Sequence, residues 1–152
     1  MLVETLLEQK QREIITTTPS TSIEDAMDLL ITKDIGCLPV LDDDTKLIGI
    51  ISDKDIFKKL YETKGDYHNL KVEDIMSTDL IIGVLDDELD YIASVMDTNW
   101  IQHMPIVDGE KMVGIISQRD IIKVNSRKHE QENRYLNLYM EGLHKRDQSG
   151  DV

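Results

Sequence analysis

Apolar residues along this chain form two kinds of pattern, and each pattern occurs twice. Ile23, Ala26, Met27 and Leu30 stand at i, i+3, i+4 and i+7, and Leu89, Ile92, Ala93 and Met96 repeat that spacing 66 positions later. Such spacing puts apolar side chains on one stripe of a helix, so both segments are predicted to be amphipathic helices. Ser22 is placed to cap the first, and Asp86 or Asp87 the second. Shorter apolar runs flank each helix. Ile14-Ile15-Thr16 and Leu80-Ile81-Ile82 precede them as short strand candidates. Ile35 to Leu41 with Leu47 to Ile51, and Ile101 to Val107 with Met112 to Ile116, follow as paired strands. Asp42-Asp43-Asp44-Thr45-Lys46 makes a polar hairpin connection in the first pair. Asp108-Gly109-Glu110-Lys111 makes a tighter one, in which Asp-Gly supplies two residues tolerant of positive φ.

The similarity extends to the letters. Gly49-Ile50-Ile51-Ser52-Asp53-Lys54-Asp55 returns 65 residues later as Gly114-Ile115-Ile116-Ser117-Gln118-Arg119-Asp120. Leu38-Pro39-Val40-Leu41-Asp42 matches Met104-Pro105-Ile106-Val107-Asp108, and Val3-Glu4-Thr5-Leu6-Leu7 matches Val72-Glu73-Asp74-Ile75-Met76. The last offset is 69, so the first copy carries three extra residues near Gln9-Lys10-Gln11. Each copy reads short helix, strand, helix, strand, turn, strand, helix. A unit of about 60 residues buries only about 60% of its unfolded surface and is marginal alone. Two units packed sheet to sheet would make one domain of workable size.

Each Gly-Ile-Ile-Ser-x-x-Asp run ends a core strand in a polar ledge. Two readings of it stay open. Ser followed three residues on by an acid is a normal helix start, with the Ser as N-cap. An ionised carboxylate is also acceptor-only and takes two hydroxyl donors at once.

The expected divisions are a first repeat over residues 2–61, a polar linker over 62–70, a second repeat over 71–125 and a terminal amphipathic helix over 126–147. Leu136, Tyr139, Met140 and Leu143 give that helix its stripe, and Gly142 is a plausible C-terminal stop. Residues 148–152 are expected to be a disordered tail. Lys123, Arg127, Lys128 and Arg134, offset by Glu130, Glu132 and Glu141, read as a salt-bridged face of the helix. Trp100 is a candidate surface aromatic for a dimer contact, with core packing the competing reading.

Charge narrows the function classes. The formal net charge of −13 disfavours nucleic acid and anionic membrane as partners. No apolar run approaches the length of a membrane span, and the N-terminus lacks the features of a signal peptide, so a cytoplasmic protein is expected. The single cysteine, Cys37, sits in an apolar strand and is read as a small core hydrophobe. His68, His103, His129 and His144 show no metal-ligand spacing, so no metal site is expected. No residue is singled out as a general base, so no catalytic residues are assigned and an enzyme is not expected.

The paired Pro-containing strands, the two Gly-Ile-Ile-Ser-x-x-Asp endings and Val72-Glu73-Asp74-Ile75-Met76-Ser77 resemble the CBS domain, and the chain as a whole resembles a bacterial stand-alone CBS-domain pair. The resemblance covers roughly residues 2–125. It implies a mixed α/β (α+β) fold of two βαββα repeats packed with pseudo-two-fold symmetry, clefts between them, and a homodimer. It further implies a regulatory module that takes adenosine-containing ligands: AMP, ADP or ATP, NAD or S-adenosylmethionine. Asp55 and Asp120 would accept from ribose hydroxyls, and Ser52 and Ser117 would contact ribose or phosphate. His103, Arg119 and Lys54 are phosphate candidates. Ile15, Thr16, Ile81 and Ile82 would line an adenine slot with Ile51 and Ile116 as walls, or be plain core. Asp53 and the Asp42–Asp44 run oppose phosphate, so AMP is expected over ATP. A regulated protein partner is a further expectation. The alternative is a ligand-free structural or dimerisation module with degenerate pockets.

Overall fold

The computed structural model describes residues 1–148, with side chains described through Leu143. The chain divides into two compact units, Met1–Ile116 and the segment from Ser117 onward. In the first unit the elements run α1 (Val3–Lys10), α2 (Ile23–Thr32), β1 (Cys37–Leu41), β2 (Leu47–Ser52), α3 (Asp53–Glu62), α4 (Val72–Ile75), β3 (Gly83–Val84), α5 (Leu89–Thr98), β4 (His103–Asp108) and β5 (Lys111–Ser117). The second is dominated by α6 (Gln118–Gln148). The fold is the expected mixture of helices and small sheets: β1 and β2 pair antiparallel, and β3, β4 and β5 form a sheet in that order.

The predicted stripes form the core. Ile23, Ala26 and Leu30 of α2 pack with Leu38, Val40, Ile51, Ile56 and Val72, all buried. Leu89, Ile92 and Met96 of α5 are buried equivalently, as are Met104, Ile106 and Ile116. Ser22 caps α2 as expected, its Oγ accepting from Asp25 N at 3.1 Å. The cap expected at α5 is different. Asp87 turns its carboxylate to Val84 N at 2.9 Å, and the N-cap position falls to Glu88, whose side chain makes no capping bond.

Four strand expectations shift, each for a local reason. Ile35 and Ile101 do not open strands. Ile35 N donates to Leu30 O at 3.1 Å and Ile101 N to Met96 O at 3.0 Å, which closes the preceding helix. The residues before them, Asp34 and Trp100, take the left-handed conformation (φ 51° and 56°) that such a closure needs. Ile14-Ile15-Thr16 is not a strand. The pairing moves to Thr17, whose N donates to Pro39 O and whose O accepts from Leu41 N. Likewise Leu80-Ile81-Ile82 yields to Gly83–Val84, which pairs parallel with Ile106 and Val107. A pairing this short offers too few residues for an apolar pattern to set its register.

The short helices exchange between repeats. The first-turn N–H groups of a helix lack intrahelical partners. In α1 those of Val3 and Glu4 donate to Asp87 O (2.9 Å) and Leu85 O (3.1 Å) of the second repeat. In α4 those of Val72 and Glu73 donate to Thr21 O (2.8 Å) and Pro19 O (3.0 Å) of the first. The reciprocal bonds, Leu89 N to Met1 O and Ile23 N to Leu70 O, anchor the starts of α5 and α2. Val3 and Leu6, like Val72, are buried by this exchange. The hairpins also meet: Lys46 bridges Lys111, and Lys46 Nζ lies 3.3 Å from Glu110 Oε1.

Residues 118–148 form one helix of 31 residues, so the last helix of the second repeat and the expected terminal helix are continuous. Gly142 does not stop it. A helical Gly costs only about 1 kcal/mol relative to Ala, which the surrounding helix formers offset. The stripe residues Leu136, Tyr139, Met140 and Leu143 are exposed. Within the described residues of this face, His129 Nδ1 lies 3.7 Å from Glu132 Oε2. Residues 149–152, most of the expected tail, lie outside the described residues.

Candidate functional site

Both Ser-x-x-Asp ledges are reciprocal capping boxes. Ser52 ends β2 and its Oγ accepts from Asp55 N at 3.1 Å, while Asp55 Oδ2 accepts from Ser52 N at 3.0 Å. At the end of β5, Ser117 Oγ accepts from Asp120 N at 3.2 Å and Asp120 Oδ2 from Ser117 N at 2.8 Å. The capping reading is therefore realised at both ledges. It does not exhaust the carboxylate, which has about four lone-pair sites over two oxygens. The cap engages Asp55 through Oδ2 and holds the group in one orientation at the mouth of a core strand. All four residues are half-buried.

The other sequence-expected residues separate by burial. Lys54 and Arg119 are exposed, while His103, at the start of β4, is half-buried. Ile15, Thr16 and Ile81 are half-buried and Ile82 is exposed. Ile51 and Ile116 are fully enclosed in the core, the plain-core alternative.

A second group gathers at the start of β1, within Met1–Ile116. The His103 ring lies against Gly36, where an added Cβ would be 3.1 Å from Cε1 and 3.8 Å from Asp53 Oδ2. Cys37 next in sequence is buried, and its thiol is pushed up to about 12. Desolvation is the main cause; the Asp53 carboxylate adds to it and the Lys10 ammonium opposes it. Lys10, the last residue of α1, reaches across the repeats and donates from Nζ to Ile115 O at 2.8 Å. Lys10 is not among the residues expected from sequence. Its one signal there is its place in the three-residue excess of the first copy.

Among the described residues, no cluster of His, Cys, Asp and Glu is arranged to hold a metal ion. None of the described helices is long and apolar enough to cross a membrane.

The CBS domain family model matches residues 10–62 and 72–127. The chain is 36% identical over 113 residues to inosine-5'-monophosphate dehydrogenase of Methanocaldococcus jannaschii, covering 74% of this chain and 22% of that enzyme. It spans less than half the length of the curated relatives it matches first. Among solved structures it resembles the CBS domain pair of protein MJ0100 in complex with 5'-methylthioadenosine and S-adenosyl-L-methionine. The TM-score is 0.75 at 32% identity, covering 84% of this chain and 98% of that one. It also resembles CBSX2 in complex with AMP, with a TM-score of 0.66 at 26% identity, covering 76% of this chain and 90% of that one. Both repeats thus match one family, and the chain belongs to it as a pair of CBS domains.

Proposed function

We propose that this chain is a non-catalytic regulatory module that binds an adenosine-containing ligand, with AMP favoured, at its Ser-x-x-Asp ledges. The observation that carries the reading is the locked carboxylate. Asp55 and Asp120 are each held through Oδ2 by a backbone N–H at the end of a core strand. A carboxylate held this way accepts the two adjacent hydroxyls of a ribose without first being ordered, and hydrogen bonds to a charged acceptor contribute about 1.5–3 kcal/mol each. The complexes of MJ0100 with S-adenosyl-L-methionine and 5'-methylthioadenosine, and of CBSX2 with AMP, support an adenosine ligand class.

In this reading Ser52 and Ser117 orient the Asp and meet ribose or phosphate. Ile15, Thr16, Ile81 and Ile82 offer apolar contacts to adenine, while His103 and Arg119, and less so Lys54, offer phosphate contacts. AMP is favoured over ATP because Asp53, next to Lys54 in sequence and close to the Gly36 backbone that His103 lies against, adds negative charge near the phosphate candidates. The Asp42–Asp44 run, by contrast, sits at the hairpin end of β1 and β2, away from Ser52. The chain would work in the cytoplasm, and its response would pass to a protein partner. A ligand drives such a response only through different affinities for two conformations.

Calorimetry of nucleotide-free protein with AMP, ATP, NAD and S-adenosylmethionine tests the proposal, together with mass spectrometry of any nucleotide released on denaturation. Measurable binding that weakens in Asp55→Ala or Asp120→Ala is expected. The absence of both heat and thermal stabilisation across the panel refutes it, because a ligand of the native state must raise stability.

One observation favours an added role as a homodimer. Ile31 of α2 and Phe57 and Tyr61 of α3 are 78%, 74% and 84% exposed, on helices that pack together. Exposed aromatics and aliphatics of this size suit an interface with a second copy. A module with empty pockets would need only this surface, and the nucleotide panel separates the two readings.

A further inference from the structure

We infer that Trp100 and the exposed face of α5 form a docking surface for a basic, arginine-bearing segment of another protein. The inference rests on the reading above that a protein partner receives the response, and it names the surface and the chemistry of that partner.

The two repeats give Trp100 an internal control. It stands 66 positions after Asp34, and the two residues close α5 and α2 in the same way. Asp34 N donates to Ile31 O and Trp100 N to Asp97 O, both at 3.3 Å, and both residues are left-handed. Asp tolerates that conformation because its short polar side chain bonds locally, whereas a bulky side chain is strained there. The closure therefore asks for a residue such as Asp34, and Trp100 works against it. Burial does not offset the strain, since Trp100 is 93% exposed. The indole adds little to the fold, and a strained residue kept in place points to a task outside it.

Charge decides what the surface takes. Trp100 follows the last turn of α5, whose exposed face carries Asp90, Tyr91, Ser94 and Asp97. No lysine or arginine stands between Lys71 and Lys111, a stretch with ten acidic residues. Among the described residues, neither Asp90 nor Asp97 takes part in an ion pair. A Trp ring is the best aromatic face for a cation, and the planar guanidinium of arginine stacks on it while its fork of donors matches a carboxylate. Trp, Tyr and Arg are also the side chains that most often anchor protein interfaces. A second copy does not suit this surface, because two α5 faces brought together would set like charges against each other. An anionic partner is opposed by the same field.

Trp100 is the only tryptophan of the chain, so its emission reports directly on this surface. The full chain is titrated with oligoarginine, oligolysine and oligoglutamate peptides of equal length, and the affinities of all variants are measured by calorimetry. Oligoarginine is expected to shift the emission saturably and to bind more tightly than oligolysine, while oligoglutamate leaves it unchanged. Trp100→Asn should lose about three- to tenfold in oligoarginine affinity, the loss of one cation–π contact. Its melting temperature should hold or rise, because Asn suits the left-handed position. Asp90→Asn with Asp97→Asn should weaken binding more than Asp43→Asn with Asp44→Asn, which removes the same charge at the exposed β1–β2 hairpin. Weakening by the hairpin pair that equals or exceeds that by the α5 pair shows the general acidic field acting alone and overturns the inference. So does a loss of less than about threefold in Trp100→Asn. Emission that changes with protein concentration in the absence of peptide assigns the surface to a second copy and overturns it too. Wild type without a saturable response to oligoarginine is equally decisive against it. These outcomes decide the docking surface alone; the nucleotide reading stands or falls on the ligand panel, which contains no peptide.

Discussion

Leu7 packs directly onto the bare backbone of Gly114, where an added Cβ would stand 2.6 Å from Leu7 Cδ2 and 3.2 Å from its Cγ. Met76 does the same to Gly49, its Sδ 2.7 Å from the position of an added Cβ. These are the two glycines that open the repeated motif. Neither has a positive φ, so neither is demanded by a turn. Each makes room for the short helix, or the residue just after it, exchanged from the other repeat.

Gly114→Ala and Gly49→Ala are therefore expected to destabilise the fold by about 1–3 kcal/mol, the usual cost of overpacking. Gly49→Ala should cost more, because Ser77 O also stands 3.1 Å from the new Cβ and is tied to Ile50 N at 3.0 Å. Leu7→Ala should partly rescue Gly114→Ala and leave Gly49→Ala unrelieved. Urea unfolding of the three single and two double variants checks this. Additive effects of Leu7→Ala and Gly114→Ala would mean the two residues do not compete for space.

Thr17→Val is expected to stabilise the protein by about 1 kcal/mol, the lower range for a buried polar group without a partner. Thr17 is 6% exposed, and its Oγ1 is buried without a hydrogen-bond partner. Valine keeps the shape and removes the unsatisfied hydroxyl, while the backbone bonds to Pro39 and Leu41 remain. A lower melting temperature for Thr17→Val would show that the hydroxyl is satisfied in solution.

The two roles of the ledge separate by substitution. Ser52→Ala removes the acceptor for Asp55 N and should cost about 1 kcal/mol of stability, as loss of an N-cap does. Asp55→Asn keeps the size and an oxygen for Ser52 N but removes the charge. It is expected to lose at least tenfold in nucleotide affinity with a smaller change in stability. If ledge 52–55 were only a cap, Asp55→Asn would leave binding untouched.

Cys37 is expected to be inert in the folded protein. Its folded value of about 12 lies above the ordinary 9.0, so the neutral thiol is the form the fold favours. The stability this contributes is fully present below about pH 9 and is lost as pH rises toward 12. Alkylation with iodoacetamide at pH 8 should be slow in native protein and fast in urea, since the thiolate is the reactive form. Equal rates in both conditions would show that Cys37 is accessible.

Phe57→Glu combined with Tyr61→Lys should give a monomer in sedimentation velocity while changing stability by no more than about 0.5 kcal/mol, as surface substitutions do. An unchanged sedimentation coefficient would place any dimer contact elsewhere on the chain.

Much of the fold is legible in the sequence because it rests on short-range regularity. The stripes of α2 and α5 follow from 3.6-residue periodicity, the Ser22 cap from residue type, and the paired strands from apolar runs joined by turn residues. Of the candidate site the sequence offers the repeat itself: Ser52, Asp55, Ser117 and Asp120 stand out because they recur, and the structure adds their reciprocal capping bonds. Where local signals compete, the pattern misleads. Ile35 and Ile101 read as strand starts yet close helices, because an apolar residue after a left-handed position serves either purpose. Gly142 reads as a stop yet is carried through α6, because no such closure forms there.

The sequence by itself determined that this chain has two homologous halves, each with an amphipathic helix, a hairpin and a Ser-x-x-Asp ending. Those features depend on residues within a few positions of one another, and local hydrogen bonding and burial suffice to specify them. Only the tertiary structure decided which short helix serves which repeat. The bonds of Val3 to Asp87 and of Lys10 to Ile115 join residues remote in sequence, and no periodicity encodes such pairings. The same contacts explain why the motif begins with glycine and why a lysine from the first repeat stands beside the strand that ends in the second ledge.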